Sequence, residues 1–207
     1  MGKIVFACIS PHPPLILPDV GSKEDRMQVK KTINNLEILG RRLKNAEPDF
    51  IVISSPHQDW GFNVPLHFLA RDFKGDVKDY LMGMENPKFY YKEGRRIYES
   101  EISNLKYKIA LIASGDLSHC LKEEGPYGFE TDGPKFDKDL VRFLKEKDLK
   151  RIFKLDEIYP KAGECGLRSF CFILGILDAA KINWKVEILS YEGPFGVGYL
   201  VANFKIN

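Results

Sequence analysis

The run Lys3-Ile4-Val5-Phe6-Ala7-Cys8-Ile9-Ser10-Pro11-His12 is a short apolar segment that stops at a proline and is followed at once by a histidine. It is continuous rather than alternating, which is how a strand covered on both faces of an α/β sheet reads. The same ending recurs at Ser55-Pro56-His57 after residues 50–53, and in a close variant at Leu117-Ser118-His119 after residues 109–113. The chain has four histidines, so three of them fall just past expected strands. In open α/β sheets the carboxyl ends of strands are where ligand sites are built. The three histidines are therefore read as one site.

Working outward, strand-like segments are expected at residues 3–10, 50–54, 63–70, 106–113, 184–190 and 199–205. Between the first two, residues 24–44 place Val29, Ile33, Leu36 and Leu43 at helical spacing with lysines and arginines opposite, the pattern of an amphipathic crossover helix. Residues 134–147 read as a second helix, with Pro134 in its first turn and Phe136, Leu140, Phe143 and Leu144 on one face. Residues 165–180 read as a third, apolar around most of its circumference and so buried against the sheet. Residues 71–101 show aromatics between charges without a clean period and are read as an irregular excursion over the sheet edge. Strands alternating with helices imply a three-layer α/β/α fold, with a central mixed sheet because the last two strands follow each other directly.

At 207 residues one domain, 1–207, is the expectation. With 31 basic against 29 acidic residues, a net charge of +2 gives no electrostatic footprint for nucleic acid or an anionic membrane. The first apolar run is too short, and too soon stopped by prolines, to be a signal peptide or anchor. Cys8, Cys120, Cys165 and Cys171 lack zinc-ribbon spacing, and a reduced, cytoplasmic setting is expected.

Two imidazoles converging from neighbouring strand ends can hold a metal, and His12 and His57 are the candidates. Glu164, after Ala162-Gly163 and just before the buried helix, is the candidate third ligand, since a helix N-terminus favours an ionised carboxylate. Two histidines and one carboxylate on one face suit iron(II) with open positions for substrate and dioxygen. Taken alone, Glu164 also reads as an ordinary first-turn glutamate. His119 is left as an acid/base near neutral pH, with Asp116 and Ser118 either orienting it or capping its turn. His67 sits inside the run 63–70 and reads as a packed or surface residue. Cys120 and Cys165 adjoin site residues, but neighbours in sequence usually point opposite ways, so both are read as facing away from the metal. The glycine-rich Gly193-Pro194-Phe195-Gly196-Val197-Gly198 joins two strands and does not open a helix, so it is a tight loop and not a phosphate cradle. Residues 122–133 read as a covering loop beside His119.

With these segments in view, the chain resembles the class III extradiol ring-cleavage dioxygenases, in particular their LigB-like catalytic subunit. The resemblance runs in order through Ser10-Pro11-His12-Pro13-Pro14-Leu15-Ile16, Ser55-Pro56-His57, Ala113-Ser114-Gly115-Asp116-Leu117-Ser118-His119 and Gly163-Glu164-Cys165-Gly166-Leu167-Arg168-Ser169, and on through Glu192 to Tyr199. Within that family it is most similar to the LigB-like domain of AmmeMemoRadiSam system proteins. The resemblance implies a phosphorylase/hydrolase-like α/β/α fold. It also implies iron(II) on His12, His57 and Glu164, His119 as acid/base, and a catechol-type diol opened with dioxygen. A homo-oligomer and an Ammecr-type or radical-SAM partner accompany it.

The chain departs from the family in one place. An Asp-His-Gly segment expected between the positions of His57 and His119 has no counterpart here, which weakens the catechol assignment more than the metal assignment. Two alternatives stay open: a non-catalytic metal-binding or scaffold component of an AmmeMemoRadiSam-type modification system, and a zinc hydrolase on the same ligands.

Overall fold

In a computed structural model, which describes residues 2–206, the apolar runs become strands that share one sheet. The strands β1 (Lys3–Ser10), β2 (Phe50–Ser55), β3 (Asp76–Leu81), β4 (Lys108–Ser114), β5 (Trp184–Glu192) and β6 (Tyr199–Ile206) lie in the order β3-β2-β4-β1-β6-β5. The first four in that order run parallel, while β6 is antiparallel to both β1 and β5, so the sheet is mixed. The helices are α1 (Lys23–Gln28), α2 (Lys30–Ala46), α3 (Trp60–Leu69), α4 (Pro87–Ile97), α5 (Asp132–Glu146), α6 (Leu149–Ile152), α7 (Leu155–Ile158) and α8 (Leu167–Ala179). Among the described residues no helix is long and apolar enough to cross a membrane.

Strand side chains alternate between two apolar layers. Ile51 and Ile53 of β2 and Ala110 and Ile112 of β4 pack with Leu36, Leu39 and Leu43 of α2 and Val64 and Leu69 of α3. Val52, Leu111 and Ala113, on the other face, pack with α4, α5 and α8 through residues such as Ile97, Phe136, Phe170 and Leu174. Each fully buried Leu, Ile or Phe contributes roughly 1.5–3 kcal/mol. A central sheet with apolar cover on both faces results, and it leaves the strand ends free for chemistry.

Three expectations are corrected. The helix expected over 24–44 is two helices, broken at the buried Val29 (φ −109°, ψ 23°). A carboxylate from across the fold supports the second start: Glu192 Oε1 accepts from the Thr32 N–H at 2.6 Å and the Thr32 hydroxyl at 2.5 Å. The strand expected over 63–70 is α3 instead. Its buried Gly61, Val64, Pro65 and Leu69 keep helical spacing, and tertiary packing overrides the strand preference of Phe62, Val64 and Phe68.

The irregular excursion over 71–101 contains β3, α4 and a π-helical turn at Tyr98–Ile102. β3 is an edge strand exposed at nearly every residue, so it shows no apolar alternation. α4 buries Pro87, Tyr90, Gly94 and Ile97, a stripe hidden by its proline and glycine. Those small residues have a purpose. A Cβ on Gly94 would stand 2.0 Å from the Phe172 carbonyl oxygen, and one on Gly175 would stand 2.0 Å from that of Tyr91, so α4 and α8 cross backbone to backbone. Gly175→Ala should therefore destabilise the protein by about 1–3 kcal/mol or more. The check is a lower denaturant midpoint with an unchanged slope.

Candidate metal centre

β4 lies between β1 and β2, so three adjacent parallel strands deliver His12, His57 and His119 to one end of the sheet. His12 is 2% exposed. Its backbone N–H donates to Asp116 Oδ1 at 3.0 Å, and its ring Nδ1 lies 2.8 Å from Ser114 Oγ. Its Nε2 lies 3.5 Å from Cys165 Sγ and 3.9 Å from Asp116 Oδ2. Burial, with smaller contributions from the charges of His57 and His119, pushes the His12 pKa down to about 3. The ring is neutral at physiological pH, the form that ligates a metal.

His57 is held by a local clamp: its N–H donates to Ser55 Oγ at 3.1 Å, and that hydroxyl donates to the His57 carbonyl at 2.9 Å. The His57 ring meets His12 edge to face, with centroids 5.2 Å apart and planes at 71°. The exposed Trp60 packs on His57 at 5.4 Å.

The structure groups a thiol, and not Glu164, with the two imidazoles. One ligand atom each from His12, His57 and Cys165 lies within 4.8 Å of the others, making a three-donor group. Glu164 is not brought into it. Its Oε2 accepts from the Leu167 N–H at 2.7 Å and its Oε1 from Arg168 at 3.0 Å, so the carboxylate caps α8. Arg168 is itself anchored to the Glu85 carbonyl at 2.8 Å. Burial raises the Glu164 pKa to about 7, against the opposing pull of Leu167 N–H and Arg168. The i,i+4 spacing of Glu164 and Arg168 was the sequence signal that this glutamate already had a partner.

Cys165 is oriented by the Asp116 backbone, whose N–H donates to Sγ at 3.3 Å. Burial first, then the Asp116 carboxylate, push its thiol well above the usual range. A bound cation reverses that balance and favours the thiolate. The Asp116 carboxyl is pushed up to about 6 by burial.

His119 stands beside the group without belonging to it, close enough for its charge to depress His12. Its Nδ1 meets the Gly163 carbonyl oxygen. A carbonyl only accepts, so Nδ1 carries a proton and Nε2 is the nitrogen left to face the site. Tyr127, exposed on the covering loop, packs edge-on against the ring at 5.5 Å. Asp116 and Ser118 hold the loop itself: Asp116 through His12, Ser118 through its N–H to Asp137 Oδ1 at 2.8 Å and its hydroxyl to the Ala162 carbonyl at 2.7 Å. The glycine-rich loop is hydrogen-bonded to the same segment, Leu117 N–H to Gly198 O and Gly198 N–H to Ser118 O, both at 2.8 Å. His67 lies on α3, 2.8 Å from an Arg71 nitrogen and outside the donor group, and Cys120 is buried beside Gly163.

Two imidazoles and one thiol suit a first-row transition metal. A carboxylate triad of the open iron(II) kind would draw on Glu164, whose oxygens here face the Leu167 N–H and Arg168.

Comparison with known proteins agrees with this architecture. A family model described as the catalytic LigB subunit of aromatic ring-opening dioxygenase matches residues 58–202, a stretch that includes His119, Glu164 and Cys165 but stops short of His12 and His57. Protein CA_C1420 of Clostridium acetobutylicum is 29% identical over 278 aligned residues, covering 94% of this chain and 56% of that protein. The chain thus spans about half the length of this curated relative. A crystal structure of the uncharacterised protein JW3007 from Escherichia coli K12 shares the fold, with a TM-score of 0.63 at 12% identity, covering 97% of this chain and all of the other. With a match across most of its length, the chain belongs to the LigB family of aromatic ring-opening dioxygenase catalytic subunits.

Proposed function

We propose that this protein is a metal-dependent, extradiol-type dioxygenase that opens the ring of a catechol-type diol, with His12, His57 and Cys165 as metal ligands and His119 as acid/base. The observation that carries the reading is the three-donor group with a third histidine, His119, beside it and outside it. A bound divalent ion supplies Lewis-acid stabilisation for negatively charged substrate oxygens. His119 Nε2, free of an internal partner in this tautomer, takes a hydroxyl proton and returns it as the ring opens. Trp60 and Tyr127 offer flat apolar faces at the rim for an aromatic body. Iron(II) is the metal the family suggests. A cytoplasmic location, which rests on the reduced setting read from the cysteines, and a homo-oligomeric state and an Ammecr-type or radical-SAM partner, which rest on the segment resemblance, belong to the same proposal.

A second reading, a zinc hydrolase, draws support from Cys165, because thiolate–imidazole sets are common zinc ligands. Metal analysis together with paired variants tests the ligand set. Cys165→Ala should lower metal affinity by more than about 100-fold, beyond the 10–100-fold typical of losing an outer partner, while Glu164→Gln stays near wild type. The opposite pattern would make Glu164 the third ligand.

A further inference from the structure

We infer that Ser114 is a positioning residue that fixes the tautomer of His12, so that the Nε2 lone pair faces His57 and Cys165. Ser114 is fully buried at the end of β4, in register with Ser10 of β1, two residues before His12. Its hydroxyl lies 2.8 Å from His12 Nδ1 and 2.5 Å from the carbonyl oxygen of Gly61. A hydroxyl has one proton to give. The carbonyl can only accept, so that proton goes to Gly61. The Ser114 oxygen must then accept from His12, which places the ring hydrogen on Nδ1 and leaves Nε2 unprotonated. That nitrogen is the one 3.5 Å from Cys165 Sγ.

The reason Gly61 awaits a donor is written in α3. In an α-helix each carbonyl accepts from the N–H four residues on, and the residue four after Gly61 is Pro65, which has none. Ser114 fills that vacancy. Gly61 can approach this closely only because it lacks a side chain: a Cβ there would stand 2.1 Å from Ser55 Oγ and 3.1 Å from His57 Cβ. The helix that follows His57 therefore sets the proton position on His12. The two histidines are organised as one unit through Gly61, Ser114 and the Ser55 clamp. Outer partners of this kind orient ligating histidines and set which nitrogen is free.

The purpose of the relay rests on the metal reading, while the tautomer does not, so the two can fail separately. Nitrogen-15 NMR of the metal-free wild-type protein should show His12 protonated on Nδ1. Ser114→Ala should give a tautomer mixture and a 10–100-fold weaker cobalt(II) affinity, read from the thiolate charge-transfer band. Ser114→Thr, which keeps the hydroxyl, should restore both. A wild-type His12 protonated on Nε2 overturns the inference, whatever the variants do. So does a Ser114→Ala protein with unchanged tautomer and cobalt(II) affinity. A wild-type protein with the Nδ1 proton that binds no cobalt(II) supports the relay and overturns the metal reading.

Discussion

Replacing His119 with alanine is expected to leave metal content unchanged and to lower ring-opening turnover by about 10²–10⁴, the range associated with loss of a general acid/base. The separation follows from position. His119 reaches the site from the loop after β4 and is held by the Gly163 carbonyl, while the donor group is made by His12, His57 and Cys165. Removing the imidazole takes away a proton acceptor and leaves every proposed ligand in place. Because the proton moves in the transition state, kcat and kcat/KM should fall together, by a barrier equivalent of about 3–5 kcal/mol. Steady-state kinetics beside metal analysis of the same sample checks both halves. Loss of metal with activity would instead make His119 a ligand.

The second large effect is on stability. A ligand that binds only the folded chain adds about 2.7 kcal/mol when present at 100 times its dissociation constant. In a chain of this size that is roughly 5–11 °C in Tm. Stripping the metal with a chelator should lower Tm by that amount, and re-addition should restore it. His12→Ala should abolish the shift, since His12 contributes both a donor nitrogen and the contact to Cys165. Thermal melts with and without metal decide the matter: a metal-dependent shift that survives in His12→Ala would place the ion elsewhere.

How far the sequence could be read depended on how each segment meets the core. β1, β2 and β4 are buried on both faces, so they stand out as continuous apolar runs, and the histidines after them mark the carboxyl edge of the sheet. β3 was hidden because an exposed edge strand needs no apolar pattern. α4 was hidden because its buried stripe of Pro87, Tyr90, Gly94 and Ile97 includes a proline and a glycine, and its closest approach to α8 is made by glycine backbone. At the site, the choice between Glu164 and Cys165 turns on one backbone turn at Gly163, whose φ of 62° composition does not reveal. The partnership of Ser114 with Gly61 was likewise beyond reach until α3 was known to be a helix. Once it is, Pro65 makes the orphaned carbonyl predictable.

The central claim is best tested by oxygen uptake of the protein reconstituted anaerobically with iron(II) and offered a panel of catechols. Uptake that requires both the diol and the metal, and that is lost in His12→Ala and His57→Ala, is the expected result. Stoichiometric iron with no oxygen consumed on any diol would contradict the account.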